Sequence, residues 1–199
     1  MENLFKMDVL GIDANNYYGK EEALKYEEGS GMKKVQFEVT SRAIELLGLN
    51  EGKVLDVGCG TGFSLEVLKE NGFNVFGVDI AEEMIKIAGE KGFNVKLGSM
   101  LDLDYETGSF DGLISISAMQ WISGNNADEV VENYKKVASE MFRVLKKKGK
   151  GVIQFYPQSK GEFELWIKCF KFSGFNVKTI VDESASHQKG NKKFILLEK

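Results

Sequence analysis

Apolar positions recur along the chain with two different spacings, and the changes between them divide it into alternating segments. Val35, Val39, Ala43, Leu46 and Leu47 return every three to four residues, which predicts an amphipathic helix over 33–47, stopped by Gly48. The short apolar run Lys53–Val57 predicts a strand, and helix formers over 64–70 lead to a break at Asn71-Gly72. The pattern repeats with a strand over 74–79, a helix over about 82–90, a short strand over 94–97 and an apolar strand over 110–117. A long helix over about 127–146 places Val130, Tyr134, Val137, Met141 and Leu145 on one face, with basic residues collected in its last turn, where the helix dipole favours them. A strand over 151–156, the only proline, Pro157, and a helix over about 161–173 precede two last strands, 176–181 and 193–197. Strands alternating with helices predict an α/β fold: a three-layer, doubly wound, mostly parallel sheet of seven strands. The last two strands, joined by a loop without a helix, predict an antiparallel pair at one edge.

Composition narrows the class. With 199 residues, 43% of them hydrophobic, the chain can bury one substantial core, so a single domain is expected. No run approaches eighteen uninterrupted apolar residues, and Met1–Lys6 lead into no long apolar segment, so the expectation is a cytoplasmic protein with no membrane association. Cys59 and Cys169 stand alone, without metal-ligand spacing, so neither zinc nor a disulfide is expected. A formal charge of −4 means that any nucleic-acid binding rests on a local patch or a partner. Two lysine clusters, Lys146, Lys147, Lys148, Lys150 and Lys189, Lys192, Lys193, read equally as solvated surface or as RNA contacts.

The strongest chemical signal is Val54-Leu-Asp-Val-Gly-Cys-Gly-Thr-Gly62, whose glycines follow the first strand and open the first helix of the repeat. Glycines let backbone approach a ligand closely, and a helix N-terminus favours an anionic or polar group. A dinucleotide fingerprint needs glycine at its first, third and sixth positions, but the sixth here is Phe63, and no Gly-Lys-Ser or Gly-Lys-Thr follows to make a P-loop. Asp79 ends the second strand, 21 residues after Gly58, where such sheets set an acid on ribose hydroxyls.

Asp56, Gly58, Gly60, Gly62 and Asp79 together resemble the cofactor site of the class I S-adenosylmethionine-dependent methyltransferases. The resemblance implies a Rossmann-like methyltransferase fold over 1–199, with a helical lid region over 1–50, and S-adenosyl-L-methionine as cofactor. It implies contacts from Tyr26, Asp56, Gly58, Cys59, Gly60 and Gly62, from Asp79 and Ile80, from Ser99, Met100 and Leu101 beside the adenine, and from Ser115. Ser99 stands where the family usually has Asp, leaving the adenine contact to Asp102 or to backbone. Tyr17, Tyr18 and Tyr26 fall in the segment that lids the cofactor in similar enzymes, or else pack against the first helix.

Methyl transfer from a sulfonium is an in-line displacement, so positioning supplies much of the catalysis. The acceptor pocket is expected in Ser115-Ile-Ser-Ala-Met-Gln-Trp121, with Ser117, Gln120 and Trp121 as the acceptor-side residues. Asn-Pro-Pro, Asp-Pro-Pro and Pro-Cys motifs of base amino and cytosine-C5 methylases are absent. The single histidine, His187, is a weak candidate base. A ring nitrogen with a free lone pair, such as guanine N7, needs no base; Trp121 can stack on it and Gln120 can bond its edge, unless Met119 and Trp121 are core residues.

Ala23-Leu-Lys-Tyr26, Gln36, Arg42–Leu47, the glycine motif, Ser109–Gly112, Ile114–Ala118, Gln120-Trp121, Gln154–Pro157, Gly174-Phe175, Val181-Asp182 and Lys192–Phe194 together resemble the small-subunit ribosomal RNA guanine-N7 methyltransferases of ribosome biogenesis. That resemblance implies ribosomal RNA as substrate and a small zinc-binding activator protein that adds to an exposed sheet edge. Gly31 stands where the family carries arginine, and the basic tail of its eukaryotic members is absent; both changes remove phosphate contacts. A small-molecule methyltransferase of the same fold and a cofactor-binding ribosome-assembly factor remain as alternatives.

Overall fold

The computed structural model describes residues 17–182 and 191–199; His187 and Lys189 lie outside them. Its centre is one seven-stranded sheet of β1 (Lys53–Val57), β2 (Asn74–Asp79), β3 (Asn94–Leu97), β4 (Phe110–Ile116), β5 (Leu145–Gln154), β6 (Asn176–Asp182) and β7 (Lys192–Glu198). The spatial order is β3-β2-β1-β4-β5-β7-β6. Neighbours from β3 to β5 are parallel, whereas β7 inserts antiparallel between β5 and β6. The reversal of strand order beside β1 is the switch point at which open α/β sheets bind ligands.

Both faces are covered because successive strand residues point to opposite sides. On β1, Val54 enters a cluster with Val39, Ala43 and Leu47 of α2 (Ser30–Leu47) and Leu65 and Leu68 of α3 (Phe63–Glu70). Its neighbour Leu55 enters the opposite cluster, with Val137 and Met141 of α5 (Ala127–Val144) and Trp166 and Phe170 of α6 (Lys160–Phe172). Ile114 and Leu113 on β4 divide in the same way. Burying both faces is what makes these strands read as unbroken apolar runs. Among the described residues, no helix is long and apolar enough to cross a membrane. Both cysteines are buried free thiols.

Some elements differ from the sequence reading. A separate helix α1 (Lys20–Glu28) precedes α2, which itself begins at Ser30, whereas α4 (Glu82–Glu90) follows β2 as read. Helix α5 ends at Val144, and Lys146–Lys150 belong to β5 instead of to a helical last turn; Arg143 alone is basic there. The helix stops because the chain crosses into extended backbone at Leu145 and pairs with Phe110. Lys199 Nζ donates to the carbonyls of Phe142 and Leu145 at 2.6 and 2.7 Å and so closes the helix end. This first lysine cluster therefore lies at the amino ends of the parallel strands, about 20 Å of β4 away from the end that carries the glycine loop.

Candidate functional site

At the carboxyl ends of β1, β2 and β4 the chain encloses a cleft with about 1100 Å³ of empty volume, part of it open to solvent. Its floor is the glycine loop. Gly58 and Cys59 donate their backbone N–H groups to the Val78 carbonyl at 2.8 and 3.1 Å, which docks the loop on β2. Gly58 has φ +84°, and a Cβ there would stand 2.3 Å from the Ala118 Cβ, so only glycine fits without moving a wall. At Gly62, φ +91°, a Cβ would meet the Phe93 ring at 3.0 Å; that glycine turns the chain into α3 and does not line the cleft.

Asp79 joins the loop to the next turn. Its Oδ2 accepts the Gly60 N–H at 2.8 Å and its Oδ1 the Ala81 N–H at 2.9 Å. Each carboxylate oxygen keeps a lone pair for a ligand hydroxyl. Burial raises the pKa of this carboxyl, and the backbone donors at Ala81 and Gly60 pull it back.

Asp56 lies beneath the loop, fully buried and outside the cleft wall. Ser64 Oγ donates to its Oδ2, while Oδ1 is buried without a partner among the described residues. Burial pushes its pKa up to about 7; the Ser64 bond opposes this and the nearby Asp79 charge adds to it. Thr61 Oγ1 is a second buried, unpartnered polar atom of the same loop. A glycine loop closed to a Cβ at Gly58, an acid at the strand end and a carboxylate short of one partner fit the amino-acid end and ribose of S-adenosylmethionine.

The remaining predicted residues separate into two groups. Tyr26, Cys59, Ile80, Ser99, Met100, Leu101, Ser117 and Trp121 line the cleft. Ser115 and Gln120 do not. Ser115 Oγ donates to the Val57 carbonyl at 2.7 Å and ties β4 to β1. Gln120 Nε2 donates to the Ser117 carbonyl at 2.6 Å. Asp102 is exposed and also lies outside the wall, so on that side the cleft offers the turn Gly98–Leu101.

Ser117 is held at φ +57°, a left-handed conformation that L side chains rarely adopt. Its N–H donates to the Gln154 carbonyl at 2.8 Å, its Oγ to Gln154 Oε1 at 3.2 Å, and its own carbonyl accepts from Gln120. This turn sets Ala118 against Gly58 and presents Trp121 to the cleft, whereas Met119 is wholly buried in the core.

Tyr18 and Tyr26 line the cleft, and Tyr17 packs beside them. The Tyr18 and Tyr17 rings each stand 5.4 Å from Trp121, and Tyr26 stacks on Phe63 at 5.6 Å. Lys91 fastens α1: it bridges Glu27 of α1 at 2.6 Å and Glu66 of α3 at 3.0 Å, over the Phe63 ring. Sequence reasoning missed Phe63, Ser64, Met84, Ile122 and Ser123 as lining residues. Phe63 was legible only as a misfit to the dinucleotide spacing, and the others carry no motif.

The ionisable residues among the cleft's lining are Tyr18, Tyr26, Cys59 and Asp79. Burial raises the pKa of both tyrosines and of the thiol, so none of the three is a base near neutrality. Around Trp121 the wall offers stacking surface and hydroxyls instead of a proton acceptor.

Residues 55–153 match the family model described as a methyltransferase domain. The 18S rRNA (guanine-N(7))-methyltransferase of Bos taurus is 38% identical over 174 residues, 83% of this chain and 62% of that protein. Its counterpart in Schizosaccharomyces pombe is 32% identical over 191 residues, 91% of this chain and 69% of that protein. The chain thus spans under two thirds of the bovine protein's length. Among solved structures, a chain of the complex between the Haloferax volcanii Trm112 methyltransferase activator and its methyltransferase superposes with a TM-score of 0.68 at 18% identity, over 91% of this chain and 98% of that one. At that identity the likeness concerns the fold alone. A methyltransferase domain over the glycine loop and strands β1–β5, with about one residue in three shared along nearly the whole chain, places this protein in the 18S rRNA (guanine-N(7))-methyltransferase family.

Proposed function

We propose that this chain transfers a methyl group from S-adenosyl-L-methionine to N7 of a guanine in ribosomal RNA. The observation that carries the reading is the identity to guanine-N7 methyltransferases, which runs through both the glycine loop and the acceptor wall. When bound, the cofactor supplies an electrophilic methyl group on a sulfonium. The glycine loop would hold its amino-acid end, Asp79 its ribose hydroxyls, and Ser99–Leu101 its adenine. Asp56, set behind the loop, would oppose the ammonium charge.

The acceptor wall supports N7 in particular. Guanine N7 attacks with a lone pair it already has, so the enzyme needs to stack the base, align it and exclude water. Trp121, with Tyr17 and Tyr18 beside it, offers the stacking surface. Ile116, Ala118 and Ile122 give that wall an apolar surface, which disfavours water there. Ser117 and Gln120 then act on the geometry of this wall, with Gln120 serving through the Ser117 carbonyl.

The reading includes a small zinc-binding activator protein as partner. Of the two outer strands, β3 is the edge next to the cleft: it ends at the half-exposed Leu97 and runs directly into the lining turn 98–101. A partner strand added there would cover Leu97 and stiffen that turn. Calorimetric titration of the chain with S-adenosylhomocysteine, alone and with the host's activator, tests this. Tighter binding in the complex is expected. Equal binding by the chain alone, with no complex formed, would point to a small-molecule enzyme.

A further inference from the structure

The turn Gly98–Leu101 is a wall of the cleft with few hydrogen bonds of its own among the described residues. Gly98 N–H reaches the Asp79 carbonyl at 2.9 Å, the Leu101 N–H reaches Ser99 Oγ at 3.1 Å, and the Asp102 N–H reaches the Ser99 carbonyl at 3.1 Å. On its N-terminal side β3 holds it. On its C-terminal side the chain is seized by two side chains from α5, on the far side of the core. Arg143 Nη1 donates to the Tyr105 carbonyl at 2.6 Å and Nη2 to the Leu103 carbonyl at 2.7 Å. Glu140 Oε2 accepts the Leu103 N–H at 2.8 Å. The two side chains are themselves paired twice, Nε to Oε1 and Nη2 to Oε2, each at 2.7 Å.

The arrangement uses what only a guanidinium provides, a planar fork of donors that engages a carboxylate and two carbonyls together. Leu103 buries its side chain in the core and Tyr105 donates to the Gly77 carbonyl at 3.2 Å, so the chain leaves the clamp already anchored. Neither Glu140 nor Arg143 lines the cleft. We infer that Glu140 and Arg143 are positioning residues for cofactor binding: they fix residues 103–105 and so hold the turn 98–101 in its ligand-accepting conformation. The inference rests on the methyltransferase reading.

The variants Arg143→Lys and Glu140→Gln test it. Lysine keeps the charge but cannot fork, and glutamine keeps the shape but loses the ion pair. A turn released by its clamp binds ligand with an affinity reduced by the fraction of time it is competent. The expected result, in the chain with its activator, is about a tenfold rise in Kd for S-adenosylhomocysteine, with the loss in KM for cofactor and not in kcat. Amide exchange should quicken over residues 98–105 while β1 and β2 stay protected. Kd within twofold of wild type despite faster exchange would overturn the inference, as would unchanged exchange over 98–105. Faster exchange spread evenly over all strands would also overturn it, because it describes a structural role only. Failure of the wild-type complex to bind S-adenosylhomocysteine would instead sink the methyltransferase reading, while the exchange comparison would still report on the clamp.

Discussion

Replacing Asp56 by Asn separates the charge of this buried carboxyl from its shape. In the folded chain its pKa stands near 7, against 3.8 for the free side chain, because burial penalises the ionised form. A carboxyl that holds its proton longer in the folded state makes folding less favourable as pH rises from about 4 to about 7, and flat above that. Three pKa units correspond to about 4 kcal/mol at most. Asp56→Asn keeps an acceptor for Ser64 and removes the charge. Its melting temperature should therefore match wild type only below about pH 4, where the carboxyl is protonated in both states, and exceed it by several degrees at pH 8.

Cofactor binding responds with the opposite sign. The ammonium group of the ligand favours ionised Asp56, and about one-tenth of the carboxyl is ionised at pH 6 but most of it at pH 8. Wild-type Kd for S-adenosylhomocysteine should fall about tenfold over that range, with release of up to one proton per ligand bound at pH 6. Calorimetry in buffers of different ionisation enthalpy reads both quantities. His187 is the other side chain whose type titrates in this window, so the variant is the control. A wild-type Kd independent of pH, or an unchanged pH slope in Asp56→Asn, would refute the reasoning.

Three further outcomes are expected. Gly58→Ala sets a Cβ 2.3 Å from Ala118 at φ +84°, which should cost about 2–4 kcal/mol in denaturant unfolding; a loss under about 1 kcal/mol would mean that the loop relaxes freely. Lys91→Met removes the bridge between Glu27 and Glu66, worth about 1 kcal/mol in this half-buried setting. Proteolysis should then cut α1 sooner while the strands stay protected, and an unchanged cleavage rate would show that the aromatic contacts alone hold α1. Trp121→Ala should lower kcat/KM for RNA by about tenfold to a hundredfold, the value of one stacked base, and shift the Kd for S-adenosylhomocysteine less than threefold; a larger shift in that Kd would place Trp121 on the cofactor instead.

The central strands were legible because they bury two faces: Val54-Leu55 and Leu113-Ile114 divide between the two clusters, and the resulting apolar runs stand out. Two charged stretches with little burial were misread. Helix α1 is charged, with only Ala23 buried, and so left no stripe to find. The start of β5 carries three exposed lysines, which look like a helix end until Leu145 is seen paired with Phe110. The glycine loop and Asp79 were visible because the local turn demands those residues at that spacing. Ser117's clamp by Gln154, and the hold of Glu140 and Arg143 on Leu103, join residues 37 to 40 positions apart. Such partners become neighbours only through the packing of β5 and α5, and no local pattern encodes them.

The central claim is best tested by incubating the purified chain, with its activator, with small-subunit ribosomal RNA and S-adenosylmethionine labelled in the methyl group. The RNA is then treated with borohydride and aniline, which cut at N7-methylguanine. The account predicts label in RNA and a single enzyme-dependent cut at one guanine, both lost in Asp79→Ala. Absence of label and cleavage from a complex that binds S-adenosylhomocysteine would contradict it.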